Sequence, residues 1–242
     1  MKQLLIFAVL SFVSASPSLA ATMTPAEWTF ETSAFTSVSN VGTAPLSTSI
    51  PPEVGTGAAT GLHASSSTVW STPVGDGSTK AFSADHWAQG DYFQFSTTLD
   101  LANFTYSSFS VSFNQNGSGS GPKTFALSYS IDGNNFTQFG ADYALSAGIT
   151  WNSTTTQGTQ LSFDLSSVTP LNTANTVYFR LVDDSVTTGG SISGGNVGTA
   201  GTSRVDDFTI SANASPIPEP SFAALGSLGA AALMFRLRKK TS

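Results

Sequence analysis

The stretch from residue 124 to residue 139 reads Thr-Phe-Ala-Leu-Ser-Tyr-Ser-Ile-Asp-Gly-Asn-Asn-Phe-Thr-Gln-Phe and decides the fold class. Phe125, Leu127, Tyr129 and Ile131 occupy alternate positions, and small residues fill the positions between them. A period of two is the pattern of a half-buried β-strand. The Asp-Gly-Asn-Asn that follows has turn chemistry and precedes a second apolar run, which predicts a β-hairpin.

The same alternation recurs along the chain and predicts eight or nine strands and no long helix between the two ends. The clearest repeats are centred on Phe95, Val111, Phe163 and Phe179, with weaker ones at 28–31, near Val69 and at 205–211. Each strand has one apolar face, and without helices only a second sheet can cover it. We therefore predict an all-β fold, a single-domain, jelly-roll-like β-sandwich of two sheets. Two fused sandwiches are the alternative.

The composition excludes several classes of protein. Only 10% of the 242 residues are charged, no cysteine is present and only 2 residues are histidine. A disulfide scaffold, a zinc ribbon, a cysteine nucleophile and a histidine-rich metal site are all excluded.

The first twenty residues have the features of a secretory signal peptide. Lys2 precedes an apolar run at 4–13, and Ser18-Leu19-Ala20 places small residues where signal peptidase recognises them. We expect cleavage between Ala20 and Ala21, so the predicted signal peptide is 1–20.

The C-terminal end combines a short motif, a hydrophobic stretch and a basic cluster. Pro218-Glu219-Pro220 precedes an uncharged stretch at 221–235, and four of the five residues at 236–240 are basic. The uncharged stretch predicts a short hydrophobic helix, and the basic cluster keeps its own end cytoplasmic. The sandwich domain at 21–215 is then exported, and 216–242 forms a sorting signal.

This end resembles the PEP-CTERM sorting-signal family, and Pro218, Glu219 and Pro220 match its motif residue for residue. The resemblance implies recognition by an exosortase, a membrane-embedded processing enzyme. It also implies display at the cell surface or in the extracellular matrix of a Gram-negative bacterium that makes exopolysaccharide. The membrane would be contacted only through the transient C-terminal helix.

The body between the signals is acidic. Without both ends, four basic and fourteen acidic residues remain of the nine and fifteen in the chain, which leaves a net charge near −10. Such a surface is not suited to nucleic acid. Segments such as 87–93, 127–133 and 204–208 are similar to a recurrent domain of secreted bacterial proteins that has no established reaction.

The segment at 204–210 predicts an inward carboxylate, because Asp206 shares its parity with Phe208 in a regular strand. A buried charge needs a partner. One alternative is a β-bulge that turns Asp206 and Asp207 to solvent, with Arg204 as the ionic partner. The other is a structural Ca²⁺ bound by Asp206 and Asp207 together with Glu31 on the first strand.

No catalytic residue is predicted. His63 and His86 lack a nucleophile motif and are expected at the surface or in loops. Acids such as Asp76, Asp132 and Asp142 stand alone in apparent turns. The four tryptophans are expected in the core, although exposed ones would offer sugars a stacking face.

These features favour a non-catalytic exported surface or extracellular-matrix protein associated with exopolysaccharide, with signal peptidase and exosortase as processing partners. The alternative is a carbohydrate-binding module with a structural calcium. A glycan hydrolase or lyase ranks third.

Overall fold

A computed structural model describes residues 19–32, 38–39, 46 and 49–218 of the chain. The predicted sorting helix, and the predicted signal peptide up to residue 18, lie outside the described residues. None of the described residues forms a helix long and apolar enough to cross a membrane.

The regular secondary structure of the described residues consists of β-strands and one short 3-10 helix at Thr169–Thr173. In chain order the strands are β1 Ala21–Trp28, β2 Val38–Ser39, β3 Val54–Gly55, β4 Gly57–Leu62, β5 Val69–Ser71, β6 Phe82–Ala84, β7 Tyr92–Thr98, β8 Phe104–Gly117, β9 Thr124–Ser130, β10 Thr137–Gln138, β11 Tyr143–Ala144, β12 Gln160–Asp164, β13 Thr176–Asp183 and β14 Ser203–Pro216.

The strands form two antiparallel sheets, which confirms the predicted two-sheet sandwich. The first sheet has the order β12-β8-β14-β6-β5-β2, with β1 also paired to β14 and β3 paired to β1. The second has the order β10-β9-β13-β7-β4, with β11 also paired to β9. The structure has more strands than the eight or nine predicted, because two- and three-residue strands are too short to show a period in the sequence.

Aromatic side chains from both sheets meet in the core. Phe208 of β14 stacks on Phe95 of β7, with ring centroids 3.6 Å apart and the ring planes 4° from parallel. The ring centroid of Phe113 of β8 lies 5.5 Å from that of Phe208. Trp28 of β1 packs edge-on against both Phe95 and Phe208. All four side chains are fully buried. This stack joins the sheets, since its rings come from both of them.

The two ends of the sandwich domain lie at one pole. Ala21 pairs with Ala214 in the antiparallel β1–β14 ladder. After β14 ends, the backbone N–H of Ile217 still donates to the carbonyl of Asn103 at 2.8 Å. The predicted mature N-terminus therefore lies beside the start of the predicted sorting signal.

Candidate functional site

A β-bulge interrupts β14 at the predicted acidic pair. Asp206 pairs with Asn114 of β8, but the next paired residue, Thr209, faces Ser112, so β14 contains one extra residue. Asp207 takes up the bulge with a φ of 50°, a conformation that Asp tolerates better than most residues. The bulge shifts the alternation by one residue, so Arg204 does not share a face with Phe208.

The Asp206 side chain is fully buried, and its partners are hydrogen-bond donors. Its Oδ2 accepts from the backbone N–H of Asp76 at 2.9 Å and from the Ser78 hydroxyl at 2.5 Å. Its Oδ1 accepts from the N–H of Asp207 at 2.9 Å. Gly75 permits this approach, because a Cβ there would lie 2.2 Å from Oδ2. Burial raises the pKa of Asp206 to about 6, and the charge of Asp207 adds to the effect.

The surface-bulge alternative is therefore only partly correct. The bulge is present, but Asp206 is buried and Arg204 is not its ionic partner. The Arg204 guanidinium donates through Nη1 to the carbonyl of Val74 at 2.8 Å and lies 5.3 Å from the centroid of the Trp151 ring. Burial lowers the pKa of Arg204. Arg204 and Asp206 pair with Asn116 and Asn114 in unbroken register before the bulge, so they share a face. They do not form an ion pair, because Arg204 is bonded to Val74 whereas Asp206 is bonded to Asp76 and Ser78.

Asp207 lies close to other acids. Its pKa is raised by burial first and then by the charges of Glu27, Asp76 and Glu31. Its Oδ2 accepts from the Asn114 amide at 3.1 Å. The Asn114 Oδ1 is buried and has no hydrogen-bond partner within the described residues.

The three predicted calcium ligands are not brought together as a ready-made site. β1 ends at Trp28, so Glu31 lies in the turn after the strand instead of on it. Its carboxylate accepts from the Thr79 hydroxyl and from the backbone N–H of Lys80. Across the described ranges, no group of three or more His, Asp or Glu side chains is placed to hold a metal ion. Calcium binding stays a prediction without support from this geometry.

His63 and His86 both lie in loops as predicted, but His63 is not exposed, and the solvated turn predicted for Asp76 is wrong. His63 is fully buried, and its ring centroid lies 4.6 Å from that of Trp70 and 4.2 Å from that of Trp87. Burial lowers the pKa of His63 to about 3, so the ring is neutral at pH 7. Asp76 is buried and accepts from the Gln157 N–H and the Thr159 hydroxyl. His86 is partly exposed beside Asp85, with 2.8 Å between Nδ1 and Oδ1.

All four tryptophans are buried, as predicted. A sugar platform built on an exposed Trp is therefore absent. Among the described residues, the half-buried tyrosines and phenylalanines are the remaining rings for a stacking surface.

The outer face of the second sheet carries an arginine held by aromatic rings. The Arg180 Cζ lies 3.8 Å from the centroid of the Tyr92 ring and 3.5 Å from that of the Phe136 ring. Its Nε donates to the Gln94 Oε1 at 2.8 Å. Tyr178 lies two residues away on the same face. These residues form what we call the Arg180 patch: Tyr92, Gln94, Phe136, Tyr178 and Arg180.

The sequence pattern alone did not single out the Arg180 patch. The alternation at Val177, Phe179 and Leu181 predicts an inward face for these residues, and they are fully buried. Arg180 then falls on the outer face. The available sequence signal is an arginine at an outward strand position, two residues after Tyr178. The contact between Arg180 and Phe136 could not be predicted in this way, because it depends on the hairpin turn between β9 and β10.

The predicted processing sites are only partly within the described chain. Ala20 and Ala21 are exposed, and Ala21 begins β1. Pro218 is exposed just after β14, whereas Glu219 and Pro220 lie outside the described residues. Their recognition by an exosortase stays a prediction.

Comparison with known proteins gives distant similarities of fold. No family model and no curated protein matches the chain. TmCBM61, solved in complex with beta-1,4-galactotriose, has 13% identity over 55% of this chain and 70% of its own, with a TM-score of 0.31. The K1 cleaved adhesin domain of Lys-gingipain from Porphyromonas gingivalis W83 has 15% identity over 78% of this chain and 97% of its own, with a TM-score of 0.39. Endoglucanase 3 of family GH12 from Trichoderma harzianum has 11% identity over 82% of this chain and all of its own, with a TM-score of 0.29. At these values the similarities do not indicate what this chain binds.

Proposed function

We propose that this chain is a non-catalytic, exported surface or matrix protein whose jelly-roll-like sandwich associates with extracellular polysaccharide. The supporting observation is the outer face of the second sheet. The outward positions of β4, β7, β9 and β13 carry mostly hydroxyl, amide and aromatic side chains, with Arg180 as the single charged residue and the aliphatic Ala58, Leu62, Ala126 and Val182 between them. Hydroxyl and amide groups, together with aromatic rings, are the groups that bind sugars without catalysing a reaction on them.

The shared pole of the two termini supports surface display. Removal of the signal peptide before Ala21 would leave β1 intact, because the strand begins at that residue. At the other end, Pro218 follows β14 by two residues, so about 7 Å of extended chain separates the sheet from the sorting motif. The sandwich domain would then lie close to the membrane surface during processing.

The four buried carboxylates are not placed as the catalytic pair of a glycosidase. Such an enzyme needs two carboxyl groups that face the substrate across a groove. Asp76, Asp91, Asp183 and Asp206 are all buried, and each accepts a backbone N–H of the protein. Hydrolysis or β-elimination of a polysaccharide, abolished by a single Asp or Glu substitution, would replace the non-catalytic proposal.

A carbohydrate-binding module is the second candidate. The half-buried rings of Tyr92, Tyr178 and Phe136 at one sheet face favour it, because aromatic rings beside hydroxyl and amide groups can stack on sugars. Affinity electrophoresis of the full-length chain in gels containing different polysaccharides tests both candidates. Retardation supports polysaccharide association, and saturation by short oligosaccharides identifies a defined module. Unchanged mobility in every gel contradicts both.

A further inference from the structure

The Arg180 side chain is held in place, yet most of its donors are unused. Contacts with the Tyr92 and Phe136 rings fix the guanidinium plane. The side-chain oxygen of Gln94 accepts a hydrogen bond from Nε. No hydrogen bond from Nη1 or Nη2 is found within the described residues. The terminal pair of nitrogens is the end of the fork that binds a carboxylate with two parallel hydrogen bonds.

The hairpin turn before β10 positions one of these rings. The Asp132 carboxylate accepts from the backbone N–H groups of Asn134 and Asn135, which closes the turn. Gly133 in this turn has a φ of 75° and would meet the Tyr178 ring at 3.1 Å if it carried a Cβ. Phe136 follows directly and reaches Arg180. The patch is thus preorganised by the turn.

The charge of this face differs from that of the rest of the domain. The outward positions of β4, β7, β9 and β13 contain no Asp or Glu, although the domain carries fourteen acids and four bases. Charges beyond about 8 Å are largely screened at physiological salt. The acid in the adjoining turn, Asp132, has its carboxylate hydrogen-bonded by Asn134 and Asn135. A ligand lying on the sheet face therefore meets the positive charge of Arg180 more strongly than the net negative charge of the domain.

We propose that the Arg180 patch binds a carboxylate-bearing sugar, a uronic acid unit of the polysaccharide, through an end-on bidentate contact with Arg180. This inference rests on the proposed polysaccharide association and specifies its ligand class. The carboxylate accepts two hydrogen bonds from Nη1 and Nη2. The Gln94 amide, whose oxygen is bonded to Nε, and the Tyr178 ring on the same sheet face would contact the hydroxyls and the sugar ring.

Affinity electrophoresis with chemically matched polymers tests this assignment. The full-length chain, in mild detergent, is run in gels containing polygalacturonate, its methyl ester or dextran. Arg180→Gln removes the guanidinium, and Arg180→Lys keeps a positive charge without the fork. Lys123→Gln is the matched control, because it removes one positive charge from an exposed position outside the patch. Circular dichroism of each variant verifies folding.

We expect polygalacturonate to bind at least tenfold more tightly than its methyl ester. Arg180→Gln should lower the affinity for polygalacturonate by about tenfold to a hundredfold, the usual effect of losing a hydrogen-bonded charge, and should abolish the preference. Arg180→Lys should cause an intermediate loss, and Lys123→Gln should keep the preference.

Two results would overturn the assignment in different ways. Equal binding of the acid and the ester, unaffected by Arg180→Gln, would leave polysaccharide association standing and reduce Arg180 to holding the hairpin turn. Binding to none of the polymers would remove both the assignment and the proposed function. If Arg180→Gln is unfolded, the folded Arg180→Lys variant is used in its place. A weaker preference for polygalacturonate over its methyl ester supports the assignment, and an unchanged preference contradicts it.

Discussion

Phe208 and Phe95 stack face to face across the two sheets, with centroids 3.6 Å apart and both side chains fully buried. The bulge at Asp207 makes this contact possible, because it returns Phe208 to the inward side after the register shift. The unusual backbone of the bulge and the centre of the core therefore depend on each other.

Replacement of Phe208 by Ala should lower the free energy of unfolding by about 3–5 kcal/mol, the usual cost of removing a buried phenyl ring. Urea denaturation followed by tryptophan fluorescence measures the change. Val186→Ala is the control, because Val186 is 60% exposed and its truncation should change stability by less than about 0.5 kcal/mol. A loss below 1 kcal/mol for Phe208→Ala would show that the stack does not hold the sheets together.

The regular strands were predictable because their side chains alternate. The inward faces of β7, β9 and β13 follow directly from the apolar positions at Phe93, Leu127 and Phe179, all of which are fully buried. A period of two is a local property, so it needs no knowledge of the partner strand.

The environment of the acids was not predictable in the same way. Besides the N–H of the adjacent Asp207, the partners of Asp206 are donors on a loop about 130 residues away in sequence. Asp76 is buried, and its carboxylate accepts from the N–H of Gln157, 81 residues away in sequence. The buried ring of His63 contacts the rings of Trp70 and Trp87, which belong to later segments of the chain. Such contacts depend on tertiary structure. A bulge also changes which side chains of a strand face inward, and the sequence carries no firm signal for it.

Two buried carboxyl groups should make stability depend on pH between about 4 and 6. Burial raises the pKa of Asp183 and of Asp206 to about 6, against an ordinary value near 3.9 in the unfolded chain. The folded protein then binds more protons in this range, so stability falls as pH rises through it and levels off above pH 6. The expected loss is about 1–3 kcal/mol for each group.

Asp183→Asn should remove part of this dependence. The Asp183 Oδ2 is buried and has no hydrogen-bond partner among the described residues, so the neutral amide avoids a charge that the protein solvates poorly. We expect the variant to be more stable than the natural chain at pH 7 and similar at pH 4.5. Asp142→Asn, at an exposed position, is the control. Denaturant midpoints across this range that decrease toward pH 4.5 in the natural chain would contradict the prediction.

The sorting proposal predicts a specific defect in processing. Glu219→Ala should prevent removal of the C-terminal tail and surface display, while the sandwich stays folded, because Glu219 lies beyond the last residue of β14. Ser221→Ala, next to an intact motif, should be processed normally. Mass spectrometry of surface material measures the outcome. Residues 238–242 found attached to the displayed natural protein would contradict exosortase processing.

The calcium hypothesis makes a quantitative prediction about thermal stability. An ion that binds only the folded state stabilises it by about 2.7 kcal/mol at a hundredfold excess over its Kd. For a domain of this size that corresponds to roughly 5–10 °C in Tm. If Asp206 and Asp207 bind Ca²⁺, a chelator should lower the Tm by this amount.

The ligand variants identify the residues responsible. Under the hypothesis, Asp207→Asn should abolish the difference between chelated and calcium-loaded samples. Glu31→Gln should do so only if the turn after β1 contributes a ligand, since that carboxylate is bound by Thr79 and Lys80. Asp132→Asn, in the hairpin turn, is the control and should keep the difference. An identical Tm for the natural chain with chelator and with millimolar calcium would leave Asp206 as a buried acid stabilised by Ser78 and by backbone N–H groups.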